Sequence, residues 1–151
     1  MAELLTAEIK ACIGKANPPI HVEVTRRDIR KYSVSTGQKA AKYLNGDEAP
    51  PLFHFGYSLD IVELAELRKD GIVEDKLIPE LPLKRVMAGS SDTEYTRPIR
   101  PGDQLVITRR LKDIYEKAGK TGSLIFVVTE VVIETTAGEP VLRETTSLIA
   151  R

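Results

Sequence analysis

One stretch of the chain decides the predicted fold, and from Pro50 to Gly71 its sequence is PPLFHFGYSLDIVELAELRKDG. Proline suits the first turn of a helix, where its missing N–H is no loss, and glycine suits the position just past the last turn. Pro51 and Gly71 therefore predict the ends of one helix of about twenty residues, which would span roughly 30 Å. Its apolar residues lie on several sides rather than along one stripe, so the first half is expected to be buried and the charged second half more exposed.

The composition argues against several classes of function. Lys plus Arg and Asp plus Glu number 22 each, so the chain has no excess charge to attract nucleic acid or an anionic membrane. With 151 residues and 42% hydrophobic side chains, a single domain over residues 1–151 is expected. The single cysteine, Cys12, forms no internal disulfide, and no apolar run is long enough to span a bilayer. These features, with the lack of a signal-peptide pattern, predict a cytoplasmic protein.

The first third of the chain predicts two helices and one strand. Residues 3–12 are expected to form a short helix, and residues 20–24 alternate apolar with polar as a half-buried strand does. Thr25 begins a sequence similar to a capping box, which predicts a helix that ends near Gly37. The polar residues 38–49 are expected to connect this helix to the long one.

The second half of the chain predicts long antiparallel strands joined by turns. The strands are dense in β-branched residues, and glycine or proline separates them. The segment Arg97–Arg100 is expected to continue the first of them, with Pro98 at a bulge or an edge. Helices followed by strands indicate an α+β fold in which the sheet curls around one long helix, the hot-dog fold. The predicted strands are residues 86–95, 104–115, 124–135 and 141–149.

Several phrases of the sequence, in this order and spacing, resemble the MaoC-like family of hot-dog hydratases and dehydratases. The likeness extends from about Ile13 to Ile149 and is greatest to the N-terminal dehydratase-like half of that family. The phrases are Ile13-Gly14-Lys15, Thr25-Arg26-Arg27-Asp28-Ile29-Arg30-Lys31-Tyr32, Ser35-Thr36-Gly37, Ala49-Pro50-Pro51, Arg97-Pro98-Ile99-Arg100-Pro101-Gly102-Asp103 and Asp113-Ile114-Tyr115-Glu116-Lys117.

This resemblance implies an activity, and it also implies that this chain lacks the groups that perform it. The family adds or removes water across a double bond beside a thioester, on coenzyme A or acyl carrier protein, using an Asp and a His. Gln38 stands where the Asp would be and Tyr43 where the His would be. Gln38 cannot ionise, and a phenol with an ordinary pKa near 10 is a poor base at neutral pH. No residue of this chain is therefore predicted to be catalytic, and no metal or cofactor is expected beyond the thioester carrier.

The resemblance also implies a substrate-binding region at the start of the long helix and at the end of the first long strand. The first N–H groups of that helix lie at the positive end of the helix dipole, which makes them candidates to bind a thioester oxygen. The alternative is that the preceding loop caps these N–H groups. Arg97 and Arg100 are candidates to meet the phosphates of coenzyme A, although exposed arginines at a strand end are common. The predicted substrate-binding residues are Tyr43, Pro51, Phe53, His54, Phe55, Gly56, Arg97 and Arg100.

Three hypotheses of function remain open at this point. The leading one is a non-catalytic or substrate-binding subunit of a 3-hydroxyacyl-thioester dehydratase or enoyl-thioester hydratase. Its Asp–His pair would come from a partner hot-dog chain, in a heterodimer or heterotetramer. The second is a stand-alone acyl-thioester-binding or scaffolding protein, for which a homodimer is expected. The third is a chain that is catalytic alone through His54 and Tyr43, although the neighbours Phe53 and Phe55 favour a packing or tunnel-lining role for His54.

Overall fold

A computed structural model describes residues 4–58, 61–120 and 122–151. Within these residues, five antiparallel strands form one sheet. Among the described residues of the first half of the chain there are three short helices and two 3₁₀ turns, which together with the sheet confirm the predicted α+β arrangement. The helices are α1 (Ala7–Lys10), α2 (Arg26–Ser35) and α3 (Ala41–Leu44), the 3₁₀ turns are Phe53–Gly56 and Leu64–Glu66, and the strands are β1 (Ile20–Glu23), β2 (Val86–Tyr95), β3 (Gln104–Gly119), β4 (Gly122–Thr135) and β5 (Pro140–Ala150). The order of the strands across the sheet is β1, β3, β4, β5, β2.

The prediction of a long helix over Pro50–Gly71 is wrong. Leu52 has a φ of 67°, in the left-handed region, so a helix cannot run through it. The helical part that follows is only the four-residue turn Phe53–Gly56, and Glu63 is already extended, with a ψ of 153°. Leu59 and Asp60, inside the predicted helix, lie outside the described residues.

The exposure of this segment explains why its apolar composition misled the prediction. Ile61 is 97% exposed and Leu64 is 87% exposed, so the side chains that a central helix would bury face outward. Helices in proteins are stabilised mainly by packing of an apolar face, and residues 61–71 include no buried side chain on which such packing could rest. Gly56 further lowers its helix propensity.

Helix α2 covers one end of the sheet instead. The side chain of Thr25 accepts a hydrogen bond from the N–H of Asp28 (3.1 Å), which confirms the predicted cap. Ile29 is 0% exposed and belongs to a core cluster that includes Leu105 and Ile133 of β3 and β4. The helix that carries the core is therefore the ten-residue α2.

A second cluster covers the other end of the same sheet face. It joins Ile9 of α1 and Leu77 of the long connection to Leu111 and Ile125 of the sheet. Between the two clusters Arg109 points to the same face, and its guanidinium donates two hydrogen bonds to Asp75 (2.9 and 2.7 Å). The connection before β2 is thus held to the sheet by apolar contacts and by a bidentate ion pair.

Most of the predicted strands are confirmed, with two differences. Strands β3 and β4 form a longer hairpin than predicted, with Gly119 paired to Gly122. The predicted continuation of β2 through Arg97–Arg100 is wrong, because β2 ends at Tyr95. Pro98 has no N–H to donate to a ladder, and the N–H groups of Thr96 and Arg97 both turn to the carbonyl oxygen of Val141.

The opposite face of the sheet holds a buried carboxylate under three cations. Glu130 is 1% exposed, and Arg110 (2.6 Å), Lys112 (3.1 Å) and Arg143 (3.3 Å) contact it. Burial alone would raise the pKa of Glu130, but hydrogen bonds from Lys112 and Arg110 outweigh burial and lower it.

This arrangement predicts an acid-sensitive contribution to stability. A carboxyl whose pKa is lowered on folding stabilises the protein above its unfolded pKa, and the contribution is lost as the pH falls through the lower folded value. We expect Glu130→Gln to lower the free energy of unfolding at pH 7 by about 1–2 kcal/mol, since its cations are about half exposed. The difference from wild type should shrink below about pH 4. Urea unfolding from pH 7 to pH 3 measures this, with exposed Glu134→Gln of the same strand as control; a difference that does not depend on pH would contradict it.

Candidate functional site

A pocket of about 280 Å³ lies between the residues around the first 3₁₀ turn and the end of β2. Tyr43 of α3 contributes one wall, and the turn contributes Phe53 and His54. The N–H of Ala49 donates to the carbonyl of Ile99 (2.8 Å), which joins two of the chain segments that line the pocket. The remaining lining residues are Glu48, Pro50, Pro51, Tyr95, Thr96, Arg97 and Pro98.

Phe53 fixes the turn to α2. Its ring meets those of Tyr32 and Tyr57 edge to face, with centroids 5.5 and 5.1 Å away. The Tyr57 hydroxyl donates to Asp28 (3.3 Å), and burial, helped by this carboxylate, raises the pKa of Tyr57 well above its ordinary value. Tyr57 is therefore a neutral packing and hydrogen-bonding group, and the aromatic contacts hold the turn at the pocket.

Leu52 gives this turn its direction through an uncommon backbone conformation. It is the only residue other than glycine with a positive φ in the described chain. A left-handed conformation costs about 1–2 kcal/mol for a residue with a Cβ. The N–H of Leu52 donates to the hydroxyl of Tyr95 (3.0 Å), which helps to hold it there. Backbone strain of this kind concentrates at functional sites.

His54 is buried against a carboxylate of β5. Its side chain is 1% exposed, and its Nε2 lies 3.3 Å from Oε2 of Glu144. The pair is close enough for an ionic contact but is not aligned as a hydrogen bond, and neither ring nitrogen has a hydrogen-bond partner among the described residues. The other oxygen of Glu144 accepts from the hydroxyls of Ser91 (3.0 Å) and Thr93 (3.2 Å), which fix the carboxylate in place.

Five of the eight predicted substrate-binding residues line the pocket. They are Tyr43, Pro51, Phe53, His54 and Arg97. Phe55, Gly56 and Arg100 are exposed and are not among the lining residues. Gln38, at the position of the family Asp, is also absent from the lining, and its amide lies 3.5 Å from the hydroxyl of Thr36. The two dyad positions therefore do not converge on this pocket.

Arg97 has a structural partner at the pocket wall. Its guanidinium donates to both oxygens of Asp103 (2.8 and 3.1 Å) and to the carbonyl of Pro98 (2.9 Å). The hydrogen bond to Asp103 raises the pKa of Arg97. The backbone N–H of Arg100 also donates to Asp103 (2.8 Å). Most of the Arg97 donors are thus used within the fold, and contact with coenzyme A phosphates stays a prediction for both arginines.

The predicted oxygen-binding role of helical N–H groups loses its structural basis. The segment is a four-residue 3₁₀ turn, so it has no long helix dipole. The N–H of Phe53 donates to Pro50 (3.2 Å) and that of Phe55 to Leu52 (3.0 Å), as the alternative of capping by the preceding loop requires.

Sequence reasoning missed Glu144, although the strand pattern carries a signal for it. Alternate residues of a strand share a face, so Glu144 lies on the same face as Leu142 and Leu148. A carboxylate between two apolar core positions indicates a buried partner. The partner is His54, which lies ninety positions earlier in the sequence, and this pairing can be identified only from the folded structure.

The residues that the structure describes contain no group of three or more His, Cys, Asp or Glu side chains placed to hold a metal ion. They also contain no helix with the length and hydropathy needed to cross a membrane.

The chain matches a family model over residues 11–144, that of the FAS1-like, dehydratase domain region. It is 33% identical to the UPF0336 protein of Streptomyces avermitilis over 152 aligned residues, which cover 92% of each chain. A UPF0336 protein of Saccharopolyspora erythraea is 30% identical over 152 residues, with 92% of this chain and 88% of the relative covered. The match runs through nearly the whole length of these proteins.

Solved structures show the same fold at low sequence identity. One is the ChsH1–ChsH2 complex from Mycobacterium tuberculosis, where the TM-score is 0.68 at 18% identity, covering 95% of this chain and 87% of the matched one. Another is the C-terminally truncated HadBC (3R-hydroxyacyl-ACP dehydratase) complex of the same organism, with a TM-score of 0.62, 15% identity and coverage of 92% and 97%. A MaoC-like dehydratase from Rhodospirillum rubrum has a TM-score of 0.56 at 15% identity, with 91% of each chain covered. These matches confirm the hot-dog fold, although the long helix predicted at its centre is absent from the residues that the structure describes.

Proposed function

We propose that this chain, which belongs to the family of FAS1-like dehydratase domain regions and has the MaoC-like hot-dog fold, is the substrate-binding subunit of a hydro-lyase. The reaction is hydration of an enoyl thioester or dehydration of a 3-hydroxyacyl thioester, with the acyl group on coenzyme A or acyl carrier protein. A second hot-dog chain supplies the Asp–His pair. No cofactor takes part beyond the thioester carrier.

The observation that carries this proposal is the pair of residues in the dyad positions. Gln38 has no ionisable group and is not part of the pocket wall. Tyr43 does line the pocket, but a phenol is a poor base at neutral pH. General acid–base catalysis needs a group that exchanges a proton near the working pH. In this proposal the pocket holds the acyl thioester, and the proton transfer is left to a partner.

Two of the structurally similar chains come from complexes, ChsH1–ChsH2 and HadBC, which supports a hot-dog partner for this chain. The test is the rate of enoyl-thioester hydration by the chain alone and by the chain joined to a dyad-bearing partner from the same source. Full activity of the lone chain would overturn the partner requirement. Acyl-coenzyme A binding in calorimetry without recovery of such a partner in a pull-down would favour the stand-alone binding protein instead.

Strand β2 is the edge that we propose for the partner. It is an edge of the sheet, nine of its ten residues are exposed, and they include Val86 and Met87. A long exposed edge presents unpaired backbone groups to which another strand can bind. The other edge, β1, has only four residues. The proposed contact therefore extends the sheet through β2 into the partner.

This contact predicts a selective effect of charge on β2. Met87→Lys should weaken binding of the partner about tenfold or more, because it replaces an exposed apolar side chain with a cation that the contact would desolvate. His21→Lys, on the exposed face of the opposite edge β1, is the matched control and should leave binding unchanged. Analytical ultracentrifugation of the mixed chains measures both. Equal weakening by the two variants would place the partner elsewhere.

A further inference from the structure

Strand β2 supports the pocket turn through the side chains of one of its faces. Alternate residues of a strand share a face, and on this face they include Ser91, Thr93 and Tyr95. The hydroxyls of Ser91 and Thr93 hold the carboxylate of Glu144 (3.0 and 3.2 Å). Glu144 in turn lies 3.3 Å from Nε2 of His54. The ring of Tyr95 meets that of His54 edge to face, with centroids 6.2 Å apart.

Tyr95 also accepts a hydrogen bond that bears on the shape of the pocket. Its hydroxyl accepts from the N–H of Leu52 (3.0 Å), which is left-handed, with a φ of 67° and a ψ of 2°. The N–H of Phe53 donates to the carbonyl of Pro50 (3.2 Å), which closes a type II turn. Leu52 occupies the third position of this turn, where glycine is preferred. Pro50 and Phe53 both line the pocket, so the conformation of Leu52 between them fixes the course of this wall.

Two effects of similar size act on Leu52. For a residue with a Cβ, the left-handed conformation is disfavoured about fivefold to thirtyfold. One net hydrogen bond, such as that from Leu52 to Tyr95, favours the conformation that forms it by about twofold to tenfold. The bond therefore offsets much of the cost, and the population of the turn depends on whether Tyr95 is held in place.

The position of Tyr95 depends on β2, the edge that we propose for the partner. Within the described sheet β2 pairs with β5 alone, and nine of its ten residues are exposed. Strands with few buried contacts open more readily than interior strands. A partner strand on the free side would pair β2 on both sides and would hold Tyr95 against Leu52.

We propose that binding of the partner at β2 and binding of an acyl thioester in the pocket strengthen each other, and that the hydrogen bond from Leu52 to Tyr95 carries this coupling. The inference rests on the proposed function and names what regulates its site. In one conformation of the turn Leu52 is left-handed and bonded to Tyr95, and in the other the bond is broken and the pocket wall is displaced. Partner and thioester both favour the first conformation, so each raises the affinity of the chain for the other by the same factor.

Two substitutions act on this coupling from opposite sides. Tyr95→Phe keeps the ring and removes the hydroxyl, so a bound partner can no longer hold Leu52 through it. Leu52→Gly removes the Cβ that makes the left-handed conformation costly, so the turn forms without the partner. Leu52 is not among the lining residues, so this change removes no side chain from the pocket wall. The first variant loses the effect of the partner, and the second does not need it.

The experiment is calorimetric titration of octanoyl-coenzyme A into the full chain, alone and in complex with a dyad-bearing partner from the same source whose Asp is replaced by Asn. This thioester has no double bond and no 3-hydroxyl group, so neither hydration nor dehydration occurs during the titration. We expect the partner to tighten binding by the wild-type chain about fivefold, within the range of one hydrogen bond. Tyr95→Phe should bind weakly with and without the partner. Leu52→Gly should bind alone about as tightly as the wild-type chain does in the complex.

Three controls accompany the titrations. Titration of the partner alone corrects for a site of its own, and sedimentation shows that each complex is fully formed. Thermal unfolding shows that each variant is folded. If Tyr95→Phe does not fold, Leu52→Gly still decides the question, because it keeps the hydroxyl and the whole of β2.

The outcomes separate this inference from the proposed function. Equal affinity of the wild-type chain with and without bound partner overturns the coupling and leaves the subunit proposal standing. A gain that persists in folded Tyr95→Phe, or a Leu52→Gly variant that behaves as wild type, overturns it as well, because the bond would not carry the effect. Absence of octanoyl-coenzyme A binding both alone and in the complex overturns the substrate-binding part of the proposed function, and this inference with it.

Discussion

Addition of a dyad-bearing hot-dog partner is expected to raise the hydration rate of an enoyl thioester at least about a hundredfold, and up to about ten-thousandfold, over that of this chain alone. This range is the usual contribution of general acid–base catalysis, the part that Gln38 and Tyr43 do not supply. The rate is followed by the loss of the enoyl-thioester absorbance at saturating substrate. The increase should reach a limit at a fixed ratio of the two chains.

Two controls assign this increase to the complex. A partner whose Asp is replaced by Asn should bind this chain equally well and restore little activity, because the amide cannot accept the proton. The partner alone should also be slower than the complex, since the proposed acyl pocket belongs to this chain. A partner that is fully active without this chain would contradict the substrate-binding role, even if the lone chain is inactive.

Ile29→Ala is expected to lower the free energy of unfolding by about 2–5 kcal/mol, a large part of the stability of an ordinary domain. Ile29 is 0% exposed and packs in the cluster that joins α2 to β3 and β4. Truncation removes buried apolar surface and leaves a cavity that the surrounding strands cannot easily fill. Urea unfolding followed by circular dichroism measures the change as a shift of the midpoint at constant slope.

The matched control lies on the same helix. Val34 is 69% exposed, so Val34→Ala should change the free energy of unfolding by no more than about 0.5 kcal/mol. Equal effects of the two substitutions would mean that α2 is not held to the sheet through Ile29. A small effect of both would place the main core elsewhere, as the predicted helix over Pro50–Gly71 would have required.

The strands could be predicted because their signals are local. Leu105, Ile107 and Leu111 stand at alternate positions of β3, as residues on one face of a strand do, and all three are buried. Turn residues such as Gly102 and Gly138, with φ of 90° and 83°, separate the strands where the sequence indicated. Periodicity and turn residues are signals within a few positions of the sequence, so strands can be predicted from them without knowledge of tertiary contacts.

The long helix was mispredicted because its formation depends on what covers it. A segment that is apolar on several sides satisfies the helical pattern, yet Ile61 and Leu64 are exposed and the core position is taken by Ile29 and Phe53. The match over residues 11–144 shows the family even though that helix does not form.

The candidate site could be predicted only in part for a similar reason. Tyr43, Phe53, His54 and Arg97 were expected there from the family resemblance, and all of them line the pocket. The pairing of His54 with Glu144 joins a turn to a distant strand, and the pairing of Arg97 with Asp103 depends on the path of the chain after Pro98. Contacts between elements far apart in sequence have no local signal.

The exposed length of β2 has a consequence for the chain when it is made in excess. An open strand edge also binds copies of itself and other unpaired edges, which leads to aggregation. We therefore expect the chain to precipitate when it is overproduced alone and to remain in solution when a chain that covers β2 is produced with it. The ratio in which the two chains are synthesised would then determine how much of each remains folded and in solution in the cell.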